Sequence, residues 1–310
     1  MKKITTLLFI VITYCVTSQT TTAISPVFPE ILSQFPSVRD YTISSTHDEI
    51  YFTVQGYAGE LSTIIKITKK DSNWSSPEIA PFSGQFDDLE AMFSPDGLKL
   101  FFVSNRPLEN TDTKAKDYDI WYIKRSDITA KWSAPINIGN PINTKGDEFY
   151  PSVATNGNLY FTSTATASKG KDDIFVSTWQ NNTYTNPVSL SEAINSEGYE
   201  YNSYIAPDES FLLFGAYKRK DGIGSGDLYI SYRSTEGTWS KAKNLSAKIN
   251  SDKMDYCPFY DSKTQILYFT SKRNEIITKR SKSLELKHLL KMMHSYQNGL
   301  SRIYKTHIKL

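Results

Sequence analysis

The chain has 310 residues, 39% of them hydrophobic and 22% charged, which excludes a disordered polymer and leaves room for one large or two ordinary domains. Its 20 Tyr, 16 Phe and 5 Trp make it 13% aromatic, and side chains that suit pleated, half-buried surfaces at this density point to an all-β protein. A net charge of +2 gives no reason for nucleic-acid affinity.

That charge is unevenly spread. Residues 19–275 carry 25 basic and 32 acidic side chains, whereas residues 276–310 carry eight basic ones against Glu285 alone. With no run of adjacent charges, the basic tail reads as a solvated patch answering an acidic body.

The chain opens with Lys2 and Lys3 ahead of an apolar stretch, Ile4 to Val16. This is the pattern of a secretory signal and is too short to span a bilayer. Val16, Thr17 and Ser18 offer a cleavage site, so residues 1–18 are assigned to a signal peptide, with a periplasmic or secreted mature chain and no transmembrane span. Cys15 is the alternative, as a lipidated cysteine, but Thr13 and Tyr14 are large for the positions before one. Cys257 then has no cysteine partner and no His-bearing motif around it, which fits a small buried hydrophobe.

After an N-terminal segment, residues 19–37, one pattern dominates. Ile50-Tyr51-Phe52, Leu100-Phe101-Phe102, Leu159-Tyr160-Phe161, Leu212-Leu213-Phe214 and Leu267-Tyr268-Phe269 recur with centres 50, 59, 53 and 55 residues apart. Turn residues precede them, as in Ser94-Pro95-Asp96-Gly97 and Thr155-Asn156-Gly157, and Asp-Gly and Asn-Gly between apolar runs mark tight hairpins. An Asp-led run follows at Asp119, Asp173 and Asp227, and then Trp74, Trp132, Tyr184 and Trp239 mark a third position. Each unit therefore holds four short strands, A to D, and units of this length repeated four or five times are propeller blades. A β-sandwich would not repeat the same markers in the same order.

Residues Ser94-Pro95-Asp96-Gly97-Leu98-Lys99-Leu100-Phe101-Phe102-Val103-Ser104-Asn105-Arg106 resemble the WD40-like periplasmic β-propeller repeat found in the TolB C-terminal domain. The resemblance covers residues 38 to 275 and implies a propeller in the cell envelope, not an activity. The blades fall near 38–86, 87–146, 147–198, 199–253 and 254–310. Five is the count, and six with degenerate ends fits the same spacing. The closing strand of blade five comes from Val27 to Leu32 or from the final residues. Residues 281–294, with Leu284, Leu286, Leu289, Leu290 and Met293 at helical spacing, form a helix inserted between strands B and C of the last blade. Its apolar stripe is expected to pack on the propeller side.

The D-to-A and B-to-C loops share one face, where propellers commonly bind ligands. There the D-to-A loops repeat an Asn, at Asn143, Asn195 and Asn250, and end in a carboxylate, at Asp88, Glu148, Glu200 and Asp255. In regular blades these acids form a ring at the funnel mouth. Arg106, Lys218, Arg219, Lys272 and Arg273 at the ends of strand B are available to bridge blades, and Tyr150, Tyr199, Tyr201 and Tyr256 lie near. Such acids either tie loops through hydrogen bonds or hold a cationic, sugar or peptide ligand.

No metal or cofactor is expected. With only His47, His288, His294 and His307, the blades lack the base of a Ser-His-Asp triad and the ligands of a His-based metal centre. Asp172, Asp173, Asp221 and Asp227 lack the closing Glu of a calcium loop and order their loops instead. The function expected from sequence is thus a non-catalytic binding or scaffold propeller whose partner is an envelope protein, peptidoglycan or a glycan. The alternative is a funnel-type glycoside hydrolase or lyase using mouth carboxylates.

Overall fold

Each four-marker unit folds into one antiparallel sheet of the computed structural model, which describes residues 23–109, 114–165 and 167–310. The leader and Cys15 lie outside the described residues. In the order A, B, C, D, blade one comprises Ser37–Ile43, Glu49–Gln55, Ser62–Lys70 and Glu78–Ile79. Blade two is Asp88–Phe93, Lys99–Ser104, Asp119–Lys124 and Ile136–Asn137, and blade three is Glu148–Val153, Leu159–Ser163, Asp173–Ser177 and Val188–Ser189. Blade four is Tyr199–Ile205, Phe211–Tyr217, Gly226–Tyr232 and Lys243–Asn244. Blade five takes Asp255–Asp261, Ile266–Ser271 and Arg302–His307 from the end of the chain, and its outer strand, Ser25–Pro26, from the beginning.

The ring is therefore a five-bladed all-β propeller closed by the N-terminal segment. Ser25 pairs with Lys305 and Pro26 with Tyr304. The closing strand precedes the stretch expected from sequence, because Pro29–Leu32 is a short helix. All five D strands have two residues, which leaves little exposed sheet edge for another chain to extend.

Aromatic residues hold neighbouring sheets together. Phe52, Phe102, Phe161, Phe214 and Phe269, the third position of each B-strand marker, are at most 2% exposed, and each contributes about 1.5–3 kcal/mol by leaving water. Across the junction where the ring closes, Tyr41 of blade one stacks on Tyr268 of blade five at 4.1 Å between centroids.

One irregularity recurs in all five A strands. Each slips register against its B strand, and at the slip Asp40, Glu90, Tyr150, Asn202 and Cys257 have φ between 50° and 59°. A bulge frees a backbone N–H from the ladder, and the preceding blade receives it. Asp40 N–H donates to Thr270 Oγ1 at 3.3 Å, Glu90 N–H to Thr53 Oγ1 at 3.1 Å and Asn202 N–H to Thr162 Oγ1 at 3.2 Å. These Thr occupy one register position in strand B of blades five, one and three. Thr162→Val is expected to cost about 1–3 kcal/mol in urea denaturation, since it leaves a buried N–H unpaired without changing side-chain volume. A loss under about 0.5 kcal/mol would show that the hydroxyl is not the acceptor that matters.

The inserted helix is present as Leu286–Met293, but its apolar stripe does not pack on the propeller. Leu286 is 70% exposed, Leu289 39%, Leu290 44% and Met293 54%. The reason is that the insertion is held at its base and by Tyr296, whose hydroxyl reaches Val27 O and Ile303 O, and not along the helix. Glu275 N–H donates to Gln297 O, Gly299 N–H donates to Arg273 O, and Asn274 bridges Asn298. These bonds join two strands that are already neighbours, so the intervening chain projects past the sheet. Among the described residues no helix is long and apolar enough to cross a membrane.

Candidate functional site

The four acids expected at the funnel mouth lie at the start of the A strands, as first residue or, for Glu200, second, two residues before each bulge, and all four are 0% exposed. They are turned into their blades rather than towards the funnel. Asp88 accepts from Ser83 Oγ and Gly84 N–H, Glu148 from Thr144 N–H and Oγ1, Glu200 from Ser196 N–H and Oγ, and Asp255 from Ser251 N–H and Oγ. Each carboxylate thus ties down the loop that leads to it.

Three of them are also ion-paired within their own blade, not between blades. Arg106 meets Asp88 at 2.6 Å, Arg219 meets Glu200 at 2.9 Å and Arg273 meets Asp255 at 3.2 Å. The same guanidinium groups donate to the loop carbonyls of Phe82, Ile194 and Ile249. They also lie over the aromatic pairs Phe102 and Trp121, Phe214 and Tyr229, and Phe269 and Tyr304. Blade three has no Arg at this place, and burial together with the charges of Asp119 and Asp117 pushes Glu148 up to about 7.

Asn143, Asn195 and Asn250 likewise serve the fold. Each accepts from and donates to the backbone of a single strand-C residue, Ile120, Ile174 and Leu228 respectively, at 2.9–3.0 Å. The side-chain amide thereby extends the two-residue D strand by one rung. Asp173 accepts from Lys169 and Gly170 N–H, and Asp227 from Ile223 and Gly224 N–H, so both order their B-to-C loops.

Sequence reasoning missed the propeller axis, where the bulge residues converge. Arg39 reaches across it, donating from Nε to Asp40 at 2.9 Å and from Nη2 to Glu90 at 2.6 Å and Cys257 Sγ at 3.4 Å. Glu90 further accepts from Tyr150 N–H at 2.7 Å and Asn202 Nδ2 at 3.3 Å, while the other Asp40 oxygen accepts from Glu90 N–H at 3.3 Å. Asp40 is 1% exposed and Glu90 3%. One guanidinium serves two buried carboxylates. Desolvation, reinforced by the Asp40 charge, outweighs Arg39 and raises Glu90 to about 7. Burial pushes the Cys257 thiol well up, which leaves it a neutral packing group.

Of the four Tyr expected near the ring, Tyr150 and Tyr256 are buried and Tyr199 is half-buried, and Tyr150 donates to Pro258 O at 3.1 Å. Tyr201 is half-buried one residue before the Asn202 bulge and lies against Gly215, where a Cβ would come within 2.7 Å of its ring. Residues of that same register position, Arg39, Phe149 and Tyr201, are the partly exposed ones on the side of the axis facing the D-to-A loops. At the opposite end, between the A-to-B turns, a cavity of about 120 Å³ is lined by Met92, Val153, Ile205, Phe259 and Tyr260, with His47 Nε2 2.7 Å from Asp261 at its rim.

No family model matches the chain, and no curated protein does. Among solved structures, it is similar to the catalytic domain of a GH62 α-L-arabinofuranosidase from Coprinopsis cinerea, at 11% identity and TM-score 0.52 over 89% of this chain and 92% of that one. It is also similar to a GH43 endo-arabinanase from Bacillus licheniformis, at 14% identity and TM-score 0.50 over 87% and 93%. A TolB-type protein from Agrobacterium tumefaciens aligns at 14% identity and TM-score 0.49 over 82% and 78%.

The expectation of a non-catalytic scaffold gives way here. Structures similar over at least 87% of both chains include glycoside hydrolases, and this chain's own axis holds two buried carboxylates that tie down no loop. At these identities the likeness itself establishes the architecture: the chain is a β-propeller of five four-stranded blades.

Proposed function

We propose that this protein is a glycoside hydrolase, exported by its N-terminal signal, that cleaves a glycan at the propeller axis. The observation that supports it is the pair Asp40 and Glu90 sharing Arg39, with Glu90 held near pH 7 by burial. Glycosidases need one carboxyl group that carries a proton at working pH and one that is ionised. Two buried carboxylates competing for one guanidinium provide that asymmetry.

In this reading Glu90 gives its proton to the glycosidic oxygen as the bond to the anomeric carbon breaks, Asp40 faces the positive charge that develops on the sugar, and a water molecule then adds to that carbon and returns a proton to Glu90. Arg39, 15% exposed, is the part of the triad that meets incoming substrate. Its guanidinium moves onto a substrate oxygen and uncovers the acids. Phe149 and Tyr201 beside it offer ring faces for a sugar. Similarity to an α-L-arabinofuranosidase and an endo-arabinanase makes arabinofuranosides the first substrates to try.

The test is a panel of aryl glycosides, including α-L-arabinofuranoside, with arabinan and other plant and bacterial glycans, assayed with the wild type and Asp40→Asn. Cleavage of at least one substrate, lowered about 10²-fold or more in Asp40→Asn, is expected. An inactive wild type across the panel, or cleavage that Asp40→Asn leaves unchanged, would remove the axis as the active site.

A further inference from the structure

We propose that the projecting helix Leu286–Met293 docks the protein on an anionic membrane surface. This goes beyond the hydrolase reading and does not depend on it.

The helix presents Leu286, Leu289, Leu290 and Met293 at positions i, i+3, i+4 and i+7, which is one face, and every one of them is exposed. Ile277 and Leu284 in the preceding segment are 67% and 38% exposed. No residue of the helix is buried, so the apolar face is not part of the propeller core. The opposite side carries Lys287 and Lys291, and the approach to the helix carries Lys279, Arg280 and Lys282, with Glu285 the single acid from residue 276 onward. Cations beside an exposed apolar stripe on a short helix of low mean hydropathy are the make-up of elements that lie in a lipid interface.

The pairing of cations with an apolar stripe on one short element selects this occupant over a second copy of the chain. A self-association surface would have to match the apolar stripe and the five cations together, whereas headgroups of acidic lipid meet the cations while acyl chains take the Leu and Met side chains. With eight residues the helix lies in the interface and does not span it. Pinning of the insertion at Glu275 and Gln297 fixes its root to blade five, on the face shared with the D-to-A loops. Docking would therefore hold the Arg39 side of the axis towards the membrane.

Flotation or co-sedimentation of the full chain with vesicles of phosphatidylcholine, alone or with about 30% phosphatidylglycerol, tests this. Wild type is expected to bind the anionic vesicles about 10-fold or more tighter than the neutral ones. The double variants Leu289→Glu/Leu290→Glu and Lys287→Glu/Lys291→Glu are each expected to lose about 10-fold on the anionic vesicles, with unchanged circular dichroism and thermal midpoint because all four positions are exposed. Equal binding to both vesicle types, or variants that bind as wild type does, would overturn the proposal. So would sedimentation velocity showing a wild-type dimer that the variants dissociate, which would assign the face to a second copy.

Discussion

Glu90→Gln is expected to lower the rate of glycan cleavage by about 10²–10⁴-fold and to remove the alkaline limb of its pH profile. Glutamine keeps the acceptor oxygen that faces Arg39 and fills the same space, so the axis stays packed while the transferable proton is lost. In the wild type, burial and the Asp40 charge raise Glu90 to about 7, so the protonated acid predominates below neutrality. Activity should then decline as pH rises through about 7.

The same shift sets a trend in stability. A carboxyl whose folded-state pKa lies above its model value of 4.5 binds a proton more firmly in the folded chain. Its contribution is complete below about 4.5 and is lost as pH rises towards about 7. Glu90→Gln should flatten urea-denaturation midpoints over this window. A variant whose activity keeps the wild-type alkaline limb would assign that limb to another group. Glu148 is the control, since burial raises it to about 7 as well but away from the axis. Glu148→Gln should leave the profile in place.

The sequence carries the architecture openly because every blade needs the same things. Phe52, Phe102, Phe161, Phe214 and Phe269 repeat because each sheet must cover its neighbour, and Asn143, Asn195 and Asn250 repeat because each short D strand needs the same extra rung. Repetition was also what singled out Asp88, Glu148, Glu200 and Asp255, and it marked a device of the fold. At the axis the logic reverses. The five bulge positions hold Asp, Glu, Tyr, Asn and Cys, so no repeat flags them, and their convergence exists only once the ring has closed. The signal that could have found four of them is the variable position two residues after each repeated acid, whereas Asp40 follows Val38 and lacks that marker. The closing strand was hidden for a different reason, because two residues, Ser25–Pro26, carry no alternation to read. The helical period of residues 286–293 was legible, but a period does not say what covers the face it defines.

Glu200→Ala is expected to destabilise the protein by about 3–5 kcal/mol in urea denaturation, and Glu148→Ala by about half as much. Both remove a fully buried carboxylate that holds two donors of its own loop. They differ in what stays behind. Without Glu200, the guanidinium of Arg219 remains between Phe214, Tyr229 and Ile194 O with its charge uncompensated. Without Glu148 no buried cation is stranded, and the loss is confined to unpaired hydrogen-bond donors. Asp88→Ala and Asp255→Ala should follow Glu200→Ala because Arg106 and Arg273 occupy the corresponding places. The paired change Glu200→Leu/Arg219→Met removes both charges and should recover most of the loss, since an apolar pair of similar volume often equals or betters a buried ion pair. Equal losses for Glu148→Ala and Glu200→Ala, with no recovery in the paired variant, would mean that loop hydrogen bonds alone hold the D-to-A turns and that the three guanidinium groups contribute packing rather than charge.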